Sequence, residues 1–150
     1  MRELILEHLK QAVPFANHVG VEVLSMGEGL GEARLQKRPH GLNHVATHHA
    51  GALFTLAEAA SGAAMAGTFA SVLTTVRPVA ANASIRYLRP ARGTITAAAQ
   101  VEGTIDDLHA RLRETGKVQF RVSVLLRNEN LKDVASMDVE WNVSTLRPAA

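Results

Sequence analysis

One carboxylate stands alone in the middle of this sequence. Between Pro39 and Val76 there is no Asp, Lys or Arg, and no Glu except Glu58, although 20% of the chain is charged. Glu58 lies inside THHAGALFTLAEAASGAAM, residues 47–65, an apolar run of small residues. A carboxylate in apolar surroundings is costly unless it is partnered. Burial also raises its pKa towards the range in which a general base works. The competing reading is a helix-interior Glu whose face reaches solvent or a neighbouring Arg, and isolation by itself leaves both open.

The residues just ahead favour chemistry. LNHVATHHAG sets Asn43, Thr47, His48 and His49 directly before Ala50 and Gly51. A helix that begins there turns the unpaired N–H groups of its first turn outward. With the helix dipole, these can hold negative charge developing on an oxygen. Gly51 lets a carbonyl come close to the backbone. Glu58 follows Gly51 by seven residues, about two turns, so it shares that helix face roughly 10 Å away. That is far for one small reaction centre. A site shared between two chains, with donors from one and carboxylate from the other, closes the gap.

The surrounding elements read as α+β. Residues 3–13 suggest a short helix, with Ile5, Leu9 and Val13 every fourth residue and Pro14 ending it. VEVLSMGEGLGEARLQKR predicts two strands about a Gly-rich turn, with Val21, Val23, Ala33 and Leu35 inward. PHGLNH is a loop. Residues 50–66 form the long helix; they are rich in Ala and Leu and apolar nearly all round, so the helix is expected to be buried. Strands follow, with Ala83, Ile85 and Tyr87 on one face, then Ile95, Ala97, Ala99 and Val101. After them come Val118, Phe120, Val122 and Val124, and finally Ala135, Met137, Val139, Trp141 and Val143. TIDDLHARLRETG predicts a helical insertion, with Thr104 and Asp107 as a capping pair, Leu108 and Leu112 inward and Gly116 closing it. Hairpin-length links mean an antiparallel sheet with helix on one face, in one domain spanning 1–150.

Composition excludes several functions. The chain has no Cys, which removes disulfides, zinc–thiolate sites and a thiol nucleophile, and fits a reducing cytosol. The amino end is charged and amphipathic, unlike a secretory signal, and the Ala/Gly stretch is too weakly apolar for a membrane span. Net charge is +2 and aromatics are 4%, with no stacking platform or basic helix for nucleic acid. His40, His44, His48 and His49 crowd one loop without Cys or a nearby acid, which reads as loop histidines rather than a metal site. No Gly-x-Ser-x-Gly elbow and no Gly-rich phosphate loop occurs. Arg77, Arg86, Arg89 and Arg92 fit a solvated sheet face or edge.

The stretch from Asn43 through His49-Ala50-Gly51 to Glu58 resembles the Asn…His-Gly-Gly…Asp helix motif of hotdog-fold acyl-CoA thioesterases. It is most similar to the phenylacetate-degradation type, in a branch with Glu at the acid position. SIRYLRPARG, residues 84–93, resembles that family's Tyr-Leu-Arg-Pro-Ala strand, and the likeness runs over roughly residues 15–145. It implies a long helix wrapped by an antiparallel sheet, homodimers that pair into homotetramers, and active sites between protomers. By position it makes Glu58 the general base or nucleophile and Gly51 the oxyanion donor through its N–H. It has Asn43 and His49 orient the thioester, and Arg89 and Arg92 meet coenzyme A phosphates. Thr74 and Thr75 fall where a polar residue stands near the catalytic water, although a β-branched strand start explains them as well. Two departures stand out: Ala50 replaces the first Gly and crowds the backbone approach, and Glu58 is one methylene longer than Asp.

The expectation is a cytoplasmic hydrolase of acyl-coenzyme A that needs no metal or redox cofactor, with coenzyme A entering only as part of the substrate. Its partners are that small molecule and a second copy of the chain, not nucleic acid or membrane. One rival is a hotdog protein that binds an acyl thioester or lipid without turnover. A hotdog dehydratase ranks lower, because the Gly-Phe-Pro tract of that group is missing. Acyl preference would depend on pocket depth near Leu53, Phe54 and Leu56.

Overall fold

A computed structural model describes residues 1–146; residues 147–150 of the expected domain lie outside the described residues. Its elements are α1 (Arg2–Ala12), α2 (Pro14–Val19), β1 (Val21–Gly27), β2 (Leu30–Leu35), α3 (Ala50–Thr68), β3 (Val76–Tyr87), β4 (Ile95–Val101), α4 (Ile105–Thr115), β5 (Lys117–Arg127) and β6 (Asp133–Thr145). The six strands form one antiparallel sheet in the order β1-β2-β4-β5-β6-β3. Against it packs α3, touching β1, β2, β4, β5 and β6. This is the α+β arrangement expected, a long helix embraced by an antiparallel sheet.

Period-two alternation explains the sheet. The inward residues of β4, β5 and β6 are all buried, and Val21 and Val23 of β1 face Leu35 and Ala33 of β2 in register. Apart from Val23, these side chains share one core with the apolar flank of α3. Small residues on α3 serve close approach rather than bulk. A Cβ added at Gly31 on β2 would lie 2.5 Å from the Ala60 carbonyl oxygen and 2.6 Å from the Ala64 nitrogen. The β2 backbone therefore meets the α3 backbone almost directly, which only Ala and Gly permit.

β3 differs from the other strands. Like β1 it is an edge strand, bonded only to β6 and with a bulge between Ala80 and Asn82, but it is mostly exposed. Ala83 and Ile85 are half-buried, and Tyr87 is exposed.

Two local expectations need correction. Pro14 does not simply end a helix. α1 stops at Ala12, Val13 is extended and exposed, and Pro14 begins α2 as its first residue. Proline's missing N–H is unpaired at that position anyway, and its fixed φ suits a helix start. Thr104 does precede α4, but its side chain makes no capping bond. Leu108 and Leu112 are buried and Gly116 closes the helix with φ of 76°. Among the described residues no helix is long and apolar enough to cross a membrane.

Candidate active site

The loop before α3 is built by its own side chains. The Asn43 carboxamide oxygen accepts the N–H groups of Val45 and Thr47, and its amide donates to the Thr47 hydroxyl at 2.8 Å. His48 is buried, and its Nε2 bonds the Gly93 carbonyl at 2.6 Å while its backbone N–H donates to Ala91. These bonds tie the loop to residues 91–93. The Tyr87 hydroxyl donates to the Ala50 carbonyl at 3.0 Å, joining the end of β3 to the first turn of α3. Desolvation raises the Tyr87 pKa above its ordinary value.

His49 is the N-cap of α3. Its Nδ1 accepts the Gly51 N–H at 2.8 Å, and its carbonyl accepts the N–H groups of Ala52 and Leu53. Among the described residues the first-turn N–H left without a partner is that of Ala50. The Gly51 donor is thus engaged by the imidazole, and a neutral ring in this arrangement carries its proton on Nε2.

Gly51, Thr55, Glu58 and Gly62 follow one another at helical spacing along a single face of α3. α2 lies against this face and divides it. On one side, His49, Gly51 and Phe54 join Phe15, His18 and His40 around a cleft of about 450 Å³. On the other, Glu58 lines a cavity of about 180 Å³ with Leu9, Val13, Ala16, Met65 and Trp141. Glu58 is half-buried, and desolvation holds its pKa above the ordinary glutamate value. Among the described residues its carboxylate has no ion-pair partner. Lys10 also lines the cavity, but its ammonium pairs with Glu7 at 2.9 Å.

One protomer does not bring the expected residues to one point. Asn43 and Arg89 line a third cleft, beside Ala50 and Tyr87. Arg92 is exposed on the following loop. Thr74 and Thr75 are exposed in a 3-10 turn after α3, and the Thr75 hydroxyl donates to Val72. They stand beyond the end of α3 opposite Gly51, some 25 Å along the axis. His18, His40 and His49 share a cleft, yet among the described residues no three His, Asp or Glu side chains are grouped to hold a metal.

Two residues escaped the sequence reading. Trp141 Nε1 donates to Ser61 Oγ at 3.1 Å, and Ser61 Oγ donates to the Glu58 carbonyl at 2.7 Å. Ser61 was detectable as a hydroxyl three residues past Glu58 in an otherwise apolar helix. The alternation places Trp141 inward, but nothing in the sequence indicates its bond to Ser61.

With this geometry in place, comparison with known proteins is informative. The fold is the hotdog fold of the thioesterase superfamily. The chain belongs to the family described as "Domain of unknown function (DUF4442)", whose model matches residues 1–143. It is similar to PA5026 of Pseudomonas aeruginosa, a protein of unknown function described as a probable thioesterase. The two are 26% identical over 96% of this chain and 95% of that one, with a TM-score of 0.84. It shares its fold with the E. coli PaaI protein of the phenylacetic acid degradation operon, at 24% identity over 93% and 96% of the two chains and a TM-score of 0.69. The same holds for thioesterase HI1161 of Haemophilus influenzae, at 20% identity over 95% and 92% and a TM-score of 0.75. No curated protein matches the chain.

Proposed function

We propose that this protein hydrolyses an acyl-coenzyme A thioester to the free acid and coenzyme A. The observation that carries the reading is Glu58: a carboxylate without an ion-pair partner among the described residues, lining an apolar cavity on the helix that His49, Ala50 and Gly51 begin. The superfamily of the fold, and the 26% identity to a probable thioesterase, support it.

Glu58 takes a proton from water as the water oxygen attacks the thioester carbonyl carbon. The resulting oxyanion is held at the start of α3, where the Ala50 N–H is free and the Gly51 N–H becomes available once His49 Nδ1 gives it up. The C–S bond then breaks, and the departing thiolate takes the proton from Glu58. Alternatively the Glu58 carboxylate attacks directly, expelling the thiolate and leaving an anhydride; water then cleaves the anhydride and supplies the proton that converts the thiolate to the thiol. Neither route needs a metal or redox cofactor. His49 Nε2 donates towards the substrate and Asn43 holds the loop that places it. Arg89 and Arg92 meet coenzyme A phosphates, and Thr74 and Thr75 approach the water of a neighbouring protomer's site.

The separation of Gly51 from Glu58 along one helix calls for a second copy, with donors from one chain and carboxylate from the other. The free edge of β3 suits this homodimer, which can pair again into a tetramer. On this reading the chain is one domain, acting in the cytoplasm.

The test is free-thiol release from a panel of coenzyme A thioesters, by wild type and Glu58→Gln. Turnover by wild type, lowered roughly 100-fold or more in the variant, is expected for loss of a general base. Full activity in a folded Glu58→Gln protein would overturn the mechanism. One observation favours a second reading, binding of an acyl thioester or lipid without turnover: the Gly51 N–H is already taken by His49, and Ala50 adds a Cβ beside it.

A further inference from the structure

We infer that the cavity beside Glu58 receives the acyl group, that it accepts only a short one, and that Trp141 with Gly62 sets its depth. This rests on the thioesterase reading for the identity of the ligand, but not for the shape of the pocket.

The cavity is lined mostly by apolar side chains, with the Glu58 carboxylate, Asn17 and the amphipathic stem of Lys10 as its polar groups, so it suits a hydrocarbon joined to a polar reacting group at one end. Its volume of about 180 Å³ is close to that of an engineered apolar cavity, about 150 Å³, that stays dry and binds benzene. A short or single-ring acyl group fills such a space. A long linear chain overfills it and goes deeper only if a wall moves.

What would have to move is held firmly. The Trp141 indole is buried on β6, where its backbone is paired on both sides, with Phe120 of β5 and Ala80 of β3. Its N–H is anchored on Ser61, and Ser61 in turn on the Glu58 carbonyl. The wall of the pocket and the carboxylate are therefore fixed to the same turn of α3. Swinging the indole away would leave its N–H unpaired in the core, which is costly.

Gly62 completes the boundary. A Cβ placed there would lie 3.7 Å from Trp141 Cζ2, an ordinary contact distance. Glycine is thus not required for packing at this point. It leaves open a space next to the ring that a side chain would fill. Alanine is also the better helix former by about 1 kcal/mol, so Gly62→Ala narrows the cavity without endangering the fold. Trp141→Phe and Trp141→Ala enlarge it stepwise.

The chain contains one Trp, so its fluorescence reports this pocket without any turnover. The experiment titrates the full-length protein with S-butyl- and S-dodecyl-coenzyme A, thioethers that cannot be hydrolysed, and follows Trp141 emission. In parallel, kcat/KM is measured for butyryl- and dodecanoyl-coenzyme A with wild type, Gly62→Ala and Trp141→Ala. The butyl ligand should shift the emission and the dodecyl ligand should bind at least about tenfold more weakly, the scale on which a pocket discriminates hydrocarbon size. Gly62→Ala should sharpen the preference for the short chain and Trp141→Ala should relax it. A third readout, circular dichroism, excludes variants that do not fold.

Equal binding of the two thioethers overturns the inference, as does a chain-length profile that neither variant changes. If no thioester is hydrolysed but the butyl thioether still shifts the emission, the hydrolase reading fails and the pocket stands. If hydrolysis depends on Glu58 but is indifferent to Trp141 and Gly62, the hydrolase reading stands and the pocket assignment fails.

Discussion

The Gly51 N–H donates to Nδ1 of His49 at 2.8 Å, so the residue that begins the long helix occupies the donor that the helix would offer an oxyanion. Capping and substrate orientation are thereby placed on one imidazole, and substitution separates them. His49→Ala should cost about 1 kcal/mol, or about 2–4 °C in Tm for a chain of this length. His49→Asn, with a capping oxygen, should restore the Tm. Neither side chain presents an Nε2–H towards the substrate, so both variants should keep reduced thioesterase activity. Recovery of activity together with stability in the Asn variant would reduce His49 to a cap.

Burial raises the Glu58 pKa above its ordinary value of 4.5. The folded state then holds this proton more tightly than the unfolded state. Stability linked to the protonated form is full below the unfolded value and is lost as pH rises through the higher folded value. Urea unfolding of wild type and Glu58→Gln should show the variant gaining relative stability from pH 4.5 towards neutrality. The acid limb of kcat/KM should likewise have its midpoint above the usual carboxylate range, since the base must be ionised. A midpoint within that range would remove Glu58 as the titrating base.

At Gly31 the added methyl of alanine meets two backbone atoms of α3, which cannot rotate away. Gly31→Ala should destabilise the fold by about 3 kcal/mol, the upper part of the overpacking range. The same change at Gly41, where nothing lies within 4 Å of an added Cβ, should be nearly silent. Thermal melts of the two variants test this directly.

The free edge of β3 exposes Val79, which is 42% accessible, between Pro78 and Ala80. An edge strand with unpaired backbone groups can pair with another chain even where, as here, a proline and a bulge interrupt it. If the proposed homodimer forms along this edge, Val79→Asp should yield a folded monomer, read by light scattering, and abolish the proposed turnover at the same time. A fully active monomer would remove the shared site.

Much of this architecture was legible in the sequence because burial imposes simple periods. The alternation in β4, β5 and β6 gave the inward faces correctly, and the uniform apolarity of residues 50–66 identified the buried helix, which runs on to Thr68. The first helix does stop before Pro14, but the helix that Pro14 begins was not legible, because the same chemistry that stops one helix starts another. The position of Glu58 on α3 was readable from spacing alone, and so was its distance from Gly51. The engagement of Gly51 by His49 was not, because it depends on one side-chain torsion. The partnership of Trp141 with Ser61 spans 80 residues of chain, and only the folded sheet brings the two together. Asn43 illustrates a subtler limit: the family resemblance gave it a place near the thioester, but the bonds by which its carboxamide shapes its own loop were not legible.

The backbone-to-backbone seam between β2 and α3 divides the molecule into a part that can vary and a part that cannot. Any enlargement on the Gly31 side would push the helix off the sheet and carry Glu58 with it. Diversification of ligand range is therefore channelled to the opposite flank, where α1, α2 and the Trp141 position meet the cavity with side chains alone. Exchanging the α1–α2 segment between relatives would transfer selectivity as a module.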